Sequence, residues 1–73
     1  MRPEIGTYVG LKDLDAAIWE VCRYYSNGEA EIELVAATSE FQASIYAQGS
    51  RVRITPGAFV VPNPLMMIAL VSQ

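Results

Sequence analysis

Residues 41–55, FQASIYAQGSRVRIT, contain two runs of alternating apolar and polar side chains, with Gly49-Ser50 between them. Alternation with a period of two is typical of a strand that has one buried face. Glycine at the first of two central positions favours a type II′ hairpin turn. The segment therefore predicts two antiparallel strands joined at Gly49-Ser50, a register that places Tyr46 opposite Arg53.

A third alternating run, EAEIEL at residues 29–34, lies upstream. A two-residue turn at Ser39-Glu40 pairs this run with residues 41–48 and brings the apolar sides of the strands together. We therefore expect a three-stranded meander. Its polar face is either a recognition patch or an ordinary solvated face with cross-strand charge pairs. Two rows of side chains cross that face, Glu33–Tyr46–Arg53 and Glu31–Gln48–Arg51.

Residues 11–25 have a different period. Their apolar side chains recur at spacings of three and four, which indicates one face of a helix; they are Leu11, Leu14, Ile18, Val21, Cys22 and Tyr25. Asp13 or Asp15 suits the start of such a helix, and Asn27-Gly28 suits its end. The sequence thus predicts an α+β domain in which one helix packs on a small antiparallel β-meander. The predicted order is β-α-β-β-β with one or two further C-terminal strands.

The C-terminal part is the most apolar. After the short apolar piece 58–61 and the break at Pro62-Asn63-Pro64, residues 65–71 are seven consecutive apolar residues. We expect a strand here, with Met66, Ile68 and Leu70 facing inward and Met67, Ala69 and Val71 facing outward. An exposed run of this kind promotes aggregation, so it needs a cover. The sequence predicts an interface with another chain; the competing interpretation is a central strand covered within the monomer.

Composition narrows the class of protein. The chain has 73 residues, which predicts a single domain over 1–73, and 52% of them are hydrophobic. A domain this small buries only about 60% of its unfolded surface, so we expect part of the apolar surplus to contact a partner. The net charge of −3 argues against nucleic-acid binding.

The sequence offers little for chemistry. It contains one cysteine, Cys22, and no histidine. A disulfide within the chain, a cysteine-type zinc site and histidine-based catalysis are therefore excluded, and we expect no enzyme activity, no cofactor and no metal. Cys22 is expected to be a buried structural residue. The N-terminus lacks the apolar core of a signal peptide, and no apolar run is long enough for a membrane span. We expect a cytoplasmic or virion-associated protein.

These patterns favour a non-catalytic protein-interaction module, a homo-oligomeric structural or accessory subunit of the kind found in viral or other assemblies. The alternative is a small regulatory binder, either an inhibitor of a host enzyme or a nucleic-acid-associated factor, that uses the polar sheet face. A small-molecule ligand stays open. Trp19 and Tyr24 are either a partner-facing aromatic pair or the rim of the core. The candidate interaction residues are Phe59, Val61, Leu65, Met67, Ala69, Val71, Trp19, Tyr24, Glu31, Glu33, Tyr46, Arg51 and Arg53.

Overall fold

The computed structural model describes residues 3–12, 14, 17–37 and 49–71. These residues form antiparallel strands and a C-terminal helix, so the broad α+β prediction is confirmed. In chain order the elements are β1 (Tyr8–Leu11), β2 (Ala17–Tyr24), β3 (Ala30–Ala37), β4 (Arg51–Ile54), a 3-10 turn (Pro56–Ala58), β5 (Phe59–Val60) and α1 (Pro64–Val71).

The strands form one sheet in the order β4-β3-β2-β1-β5. β4 and β5 are the two edges, yet only residues 55–58 connect them. The edges of a flat five-stranded sheet are roughly 19 Å apart. The connection, most of it a 3-10 turn with a rise of about 2 Å per residue, covers only about 12 Å. The sheet is therefore rolled, so that its two edges approach each other.

The core lies inside the roll. Trp19 of β2 pairs with Leu34 of β3, and Val21 pairs with Ile32; all four are at most 1% exposed. Val9 and Leu11 of β1 join the same cluster, and side chains from both edges pack against it, namely Val52, Ile54 and Phe59. Because the edges close over the centre, this sheet buries one face without a covering helix.

The predicted helix over residues 11–25 is wrong. Leu11 ends β1, and residues 17–24 form the central strand β2; Asp13 and Asp15 lie outside the described residues. Ala17, Ile18 and Trp19 are all buried, although neighbours in a strand point to opposite faces. A strand buried on both faces reads as a nearly continuous apolar run, and such a run matches helical spacings as well. Its β-branched and aromatic residues favour a strand.

The prediction of a C-terminal strand over residues 65–71 is also wrong, because Pro64–Val71 is a helix. Asn63 caps its start: the backbone N–H groups of Leu65 and Met66 donate to Asn63 Oδ1 at 2.9 and 3.3 Å. Proline at the first helical position has no N–H to leave unsatisfied. Pro62-Asn63-Pro64 therefore interrupts the extended segment before it and also begins a helix.

The predicted meander order is wrong too. β3 pairs directly with β4, with Glu31 opposite Arg53 and Glu33 opposite Arg51. The other edge of β3 is taken by β2, so no strand lies between the two runs at these positions. The predicted turn at Ser39-Glu40 and the predicted strand over residues 41–48, which contains Tyr46, lie outside the described residues.

Gly49 does not begin a two-residue turn. Leu34 accepts a bond from Gly49 N–H at 3.0 Å and donates to the carbonyl of Ser50 at 2.8 Å. Two residues that bond to one partner form a β-bulge. The φ of Gly49 is +89°, a conformation that glycine adopts at little cost. Gly49 therefore does mark a position of positive φ, but that position is a bulge in the β3–β4 ladder and not a hairpin turn.

Gly10 determines where the chain goes after β5. Val9 and Leu11 point into the core, so a Cβ at Gly10 points to the outer face of the sheet. That Cβ would lie 3.2 Å from Val60 Cγ2, 3.2 Å from the Val61 carbonyl oxygen and 3.4 Å from Pro62 Cα. Residues 60–62 therefore cross over Gly10 on the outer face, and they lead into α1, which lies against β2.

Candidate interaction surface

A groove opens beside this crossing. Its volume is about 680 Å³, and none of the described residues that line it carries a charge. Its walls include three prolines, two aromatic side chains and one largely exposed valine: Pro3, Pro56, Pro62, Tyr8, Phe59 and Val61. The β1–β5 pairing includes Gly10 with Val60 and Leu11 with Phe59. Continuing this register places Pro62, which has no N–H, opposite Tyr8, so β5 separates from β1 there and leaves the groove.

Helix α1 begins two residues after Pro62, which lines the groove, and the helix is made entirely of apolar residues. Met66, Met67 and Leu70 are half-buried, whereas Leu65, Ile68 and Val71 are exposed by 78, 61 and 70%. The spacing of three places these last side chains on one side of the helix, and we call them the apolar stripe. Val61, 84% exposed, lies just before the helix and also lines the groove. The groove and the apolar stripe are thus neighbouring parts of one surface.

The outer face has a different character at its other end. Arg51 Nε donates to Glu33 Oε1 at 3.0 Å, and Arg51 Nη1 donates to Glu31 Oε1 at 3.3 Å. Arg23 Nε lies 3.6 Å from the same Glu31 oxygen. Arg53 Nε donates to Glu29 Oε1 at 2.7 Å. We call these residues the ion-pair network; each arginine in it has a carboxylate partner.

Tyr25 lies within the ion-pair network. The guanidinium carbons of Arg53 and Arg23 lie 3.8 and 4.9 Å from the centre of its ring, distances typical of cation–π contacts. Its hydroxyl donates to Glu31 Oε2 at 3.0 Å and accepts from Arg23 Nη2 at 3.2 Å. Arg51 and Arg53, the predicted interaction residues of the polar face, are therefore engaged within the chain.

Cys22 lies beside the ion-pair network and not, as the predicted helix implied, on the apolar face of a helix. Val21 pairs with Ile32 and Arg23 with Glu31, so Cys22 is the extra residue of a bulge in β2. Its half-buried thiol donates to the Glu20 carbonyl at 3.6 Å. Desolvation raises the pKa of the thiol, so the unreactive protonated form predominates at neutral pH.

The described residues lack two further kinds of feature. No group of three or more histidine, cysteine, aspartate or glutamate residues in them is arranged to hold a metal ion. No helix among them is long and apolar enough to cross a membrane.

The structure separates the predicted interaction residues. Trp19 is fully buried in the core and is not part of the surface. Tyr24 is half-buried against the core, and its hydroxyl donates to the carbonyl of Pro3. The other candidate interaction residues that the structure describes form two sets. Glu31, Glu33, Arg51 and Arg53 lie in the ion-pair network, and the C-terminal set consists of Phe59, Val61, Leu65, Met67, Ala69 and Val71. Tyr46 lies outside the described residues.

Within the second set, the helix changes which side chains are exposed. The strand pattern assigned Met67 to the outside and Ile68 to the inside, but Met67 is half-buried and Ile68 is exposed. Sequence reasoning also missed Tyr8 and Pro62 in the groove. Asn63-Pro64 is the sequence signal that reveals the helix, whereas the groove depends on pairing between distant strands.

Comparison of the chain with family models, with curated proteins and with solved structures finds no match.

Proposed function

We propose that this chain is a non-catalytic protein-interaction module that associates with itself through α1 and acts as a structural or accessory subunit of an assembly. The observation that carries the proposal is the exposure of Leu65, Ile68 and Val71 on a helix that has no polar side chain. Soluble helices normally present charged or polar residues on the side that faces water. An apolar outer side is typical of a helix that packs on both sides.

The free energies of side-chain burial and of association support self-association of moderate strength. Burying a valine, leucine or isoleucine side chain stabilises by about 1.5–3 kcal/mol. The apolar stripes of two copies, whose side chains are 61 to 78% exposed, would contribute roughly 6–12 kcal/mol on this scale. Lost translational and rotational freedom costs about 4–15 kcal/mol. At its most favourable end the balance is about 8 kcal/mol, which corresponds to reversible association in the micromolar range.

Sedimentation velocity across the micromolar range tests the proposal. We expect the wild type to shift from monomer to a larger species with concentration, and Ile68→Glu to stay monomeric. Ile5→Glu is the matched control, because Ile5 is 64% exposed and Ile68 is 61% exposed, and the same charge is introduced. A monomeric wild type, or equal behaviour of both variants, contradicts the proposal.

The regulatory-binder alternative has less support. It requires Arg51, Arg53 and the neighbouring glutamates to bind a partner, but these groups already bind one another. A nucleic acid would have to displace carboxylates from the arginines, which offsets the gain from phosphate contacts. Retention on a polyanionic resin that depends on Arg51 and Arg53 would support this alternative.

A further inference from the structure

We infer that the partner of α1 is a second copy of this chain and that the helix of each copy lies in the groove of the other. This inference rests on the proposed function and specifies its geometry. The simpler arrangement, two helices packed stripe against stripe, leaves the groove open. The two arrangements predict different behaviour for groove variants.

Surface area favours the groove. α1 has eight residues, so it is only about 12 Å long. A contact between two such stripes covers only a few hundred Å², whereas a stable interface buries about 800 Å² on each partner. Adding the walls of a groove of about 680 Å³ brings both convex and concave surfaces of each copy into the contact.

Charge identifies the occupant. The sequence has no charged residue from Ile54 to Gln73, which includes the whole helix, and no charged residue among those described lines the groove. A charged partner finds no complementary group here, while the uncharged helix of a second copy meets an uncharged groove. Two copies that each carry a net charge of −3 approach without like charges at the contact.

Continuity determines the symmetry. Val61 lines the groove and lies three residues before Pro64, the first residue of α1, so the helix and the groove are close together on one copy. A two-fold axis close to Val61 places each helix over the other copy's groove. Such an isologous contact is closed. The expected species is therefore a dimer and not an open filament.

Gly57 offers a test of the groove that leaves the helix unchanged. Gly57 lines the groove, and a Cβ there meets no atom within 4 Å. Gly57→Glu therefore adds a charge to the groove without a clash, and Gly57→Ala is the control for the altered backbone. We expect Gly57→Glu to weaken dimerisation by at least about tenfold, because the dimer would bury an unpaired carboxylate, and Gly57→Ala to retain it.

A mixing experiment identifies what the groove binds. Ile68→Lys places a cation on the helix, so it also weakens dimerisation of its own chain. In an equimolar mixture with Gly57→Glu, the lysine of one chain meets the glutamate in the groove of the other. We expect the heterodimer to form more tightly than either variant's homodimer. The matched mixture of Gly57→Glu with Ile68→Glu should not recover.

The outcomes separate the two proposals. If Ile68→Lys dissociates the dimer while Gly57→Glu does not and the mixture shows no recovery, the stripes pack on each other. The groove inference is then overturned, and the proposed function stands. If the folded wild type is monomeric throughout the micromolar range, both are overturned. Thermal unfolding of each variant verifies that it is folded before its mass is interpreted.

Discussion

The outer face of the rolled sheet carries two regions that differ in whether their side chains contact one another or water. In the ion-pair network, each arginine contacts a carboxylate of the same chain, at 2.7 to 3.6 Å. In the C-terminal region, the apolar stripe and the groove carry no charge. The first region satisfies its groups within the monomer, whereas the second leaves apolar area in contact with water.

This difference bears on the polar face as the alternative binding region. Tyrosine and arginine are frequent anchors in interfaces, and Tyr25 contacts two arginines. A partner that used these groups would first have to break contacts that already exist. A partner of the C-terminal region replaces only water. The contacts within the polar face therefore weaken the alternative, and the C-terminal region remains the preferred candidate.

The position of the C-terminal region depends on Gly10, and the largest expected effect follows from this. In Gly10→Ala the new Cβ approaches Val60 Cγ2 and the Val61 carbonyl to 3.2 Å, so the crossing segment must move. We expect a loss of about 1–3 kcal/mol in the free energy of unfolding, typical of overpacking, with weaker dimerisation. Urea unfolding and sedimentation measure the two effects.

Gly57→Ala is the control, because its Cβ meets open space. The ion-pair network should stay intact in both variants. If Gly10→Ala and Gly57→Ala unfold at the same urea concentration, the close crossing does not determine the position of α1.

The next effect concerns the start of α1. Asn63→Ala removes the oxygen that accepts from the N–H groups of Leu65 and Met66. Loss of such a cap costs about 1 kcal/mol. We expect reduced helical circular dichroism and weaker dimerisation, because the apolar stripe requires the helix. Asn63→Ser retains a capping oxygen and should behave like the wild type; equal losses in both variants would contradict the capping role.

The same segment shows what the sequence could and could not predict. Seven apolar residues after Pro64 predicted a strand that needs a cover, but a uniformly apolar run has no periodicity that separates strand from helix. The side that faces outward, Ile68 and not Met67, follows from the period of the element. Asn63-Pro64 carries the missing information.

The strands show a different limit. Alternation at residues 29–34 and 51–54 correctly predicted strands with charged side chains on one face, but not that Glu31 pairs with Arg53 directly. Pairing partners depend on contacts between distant residues, and several registers satisfy the same alternation. Trp19 was assigned to a helix because both faces of β2 are buried near it. The groove needs β5 beside β1, which no local pattern indicates.

A smaller effect is expected on the charged side of the comparison. Arg51→Met removes the contacts to Glu31 and Glu33 and retains an apolar stem. Exposed ion pairs contribute little and are screened by salt. We expect a decrease in unfolding free energy that is smaller than for Asn63→Ala, that shrinks at high salt, and that leaves dimerisation unchanged. Loss of the dimer in Arg51→Met would show that the ion-pair network is part of the interface.

The smallest effect concerns acid. The pKa of Glu29 is lowered, first by the hydrogen bond from Asn27 Nδ2 at 3.0 Å and then by Arg53. A carboxyl group with a lower pKa in the folded state stabilises the fold above its unfolded pKa, and this contribution is lost as the pH falls through the folded pKa. The wild type should therefore be more stable than Glu29→Gln at neutral pH, and the difference should shrink as the pH falls below about 4.3, the usual pKa of glutamate. Urea unfolding at a series of pH values measures this difference.

Val61 and the apolar stripe contain no titratable group, so Glu29→Gln should leave the dimerisation constant unchanged at each pH. A variant difference that does not shrink below the usual pKa of glutamate would contradict the role of Glu29, and a dimer that weakens in Glu29→Gln would join the two regions that the structure keeps apart.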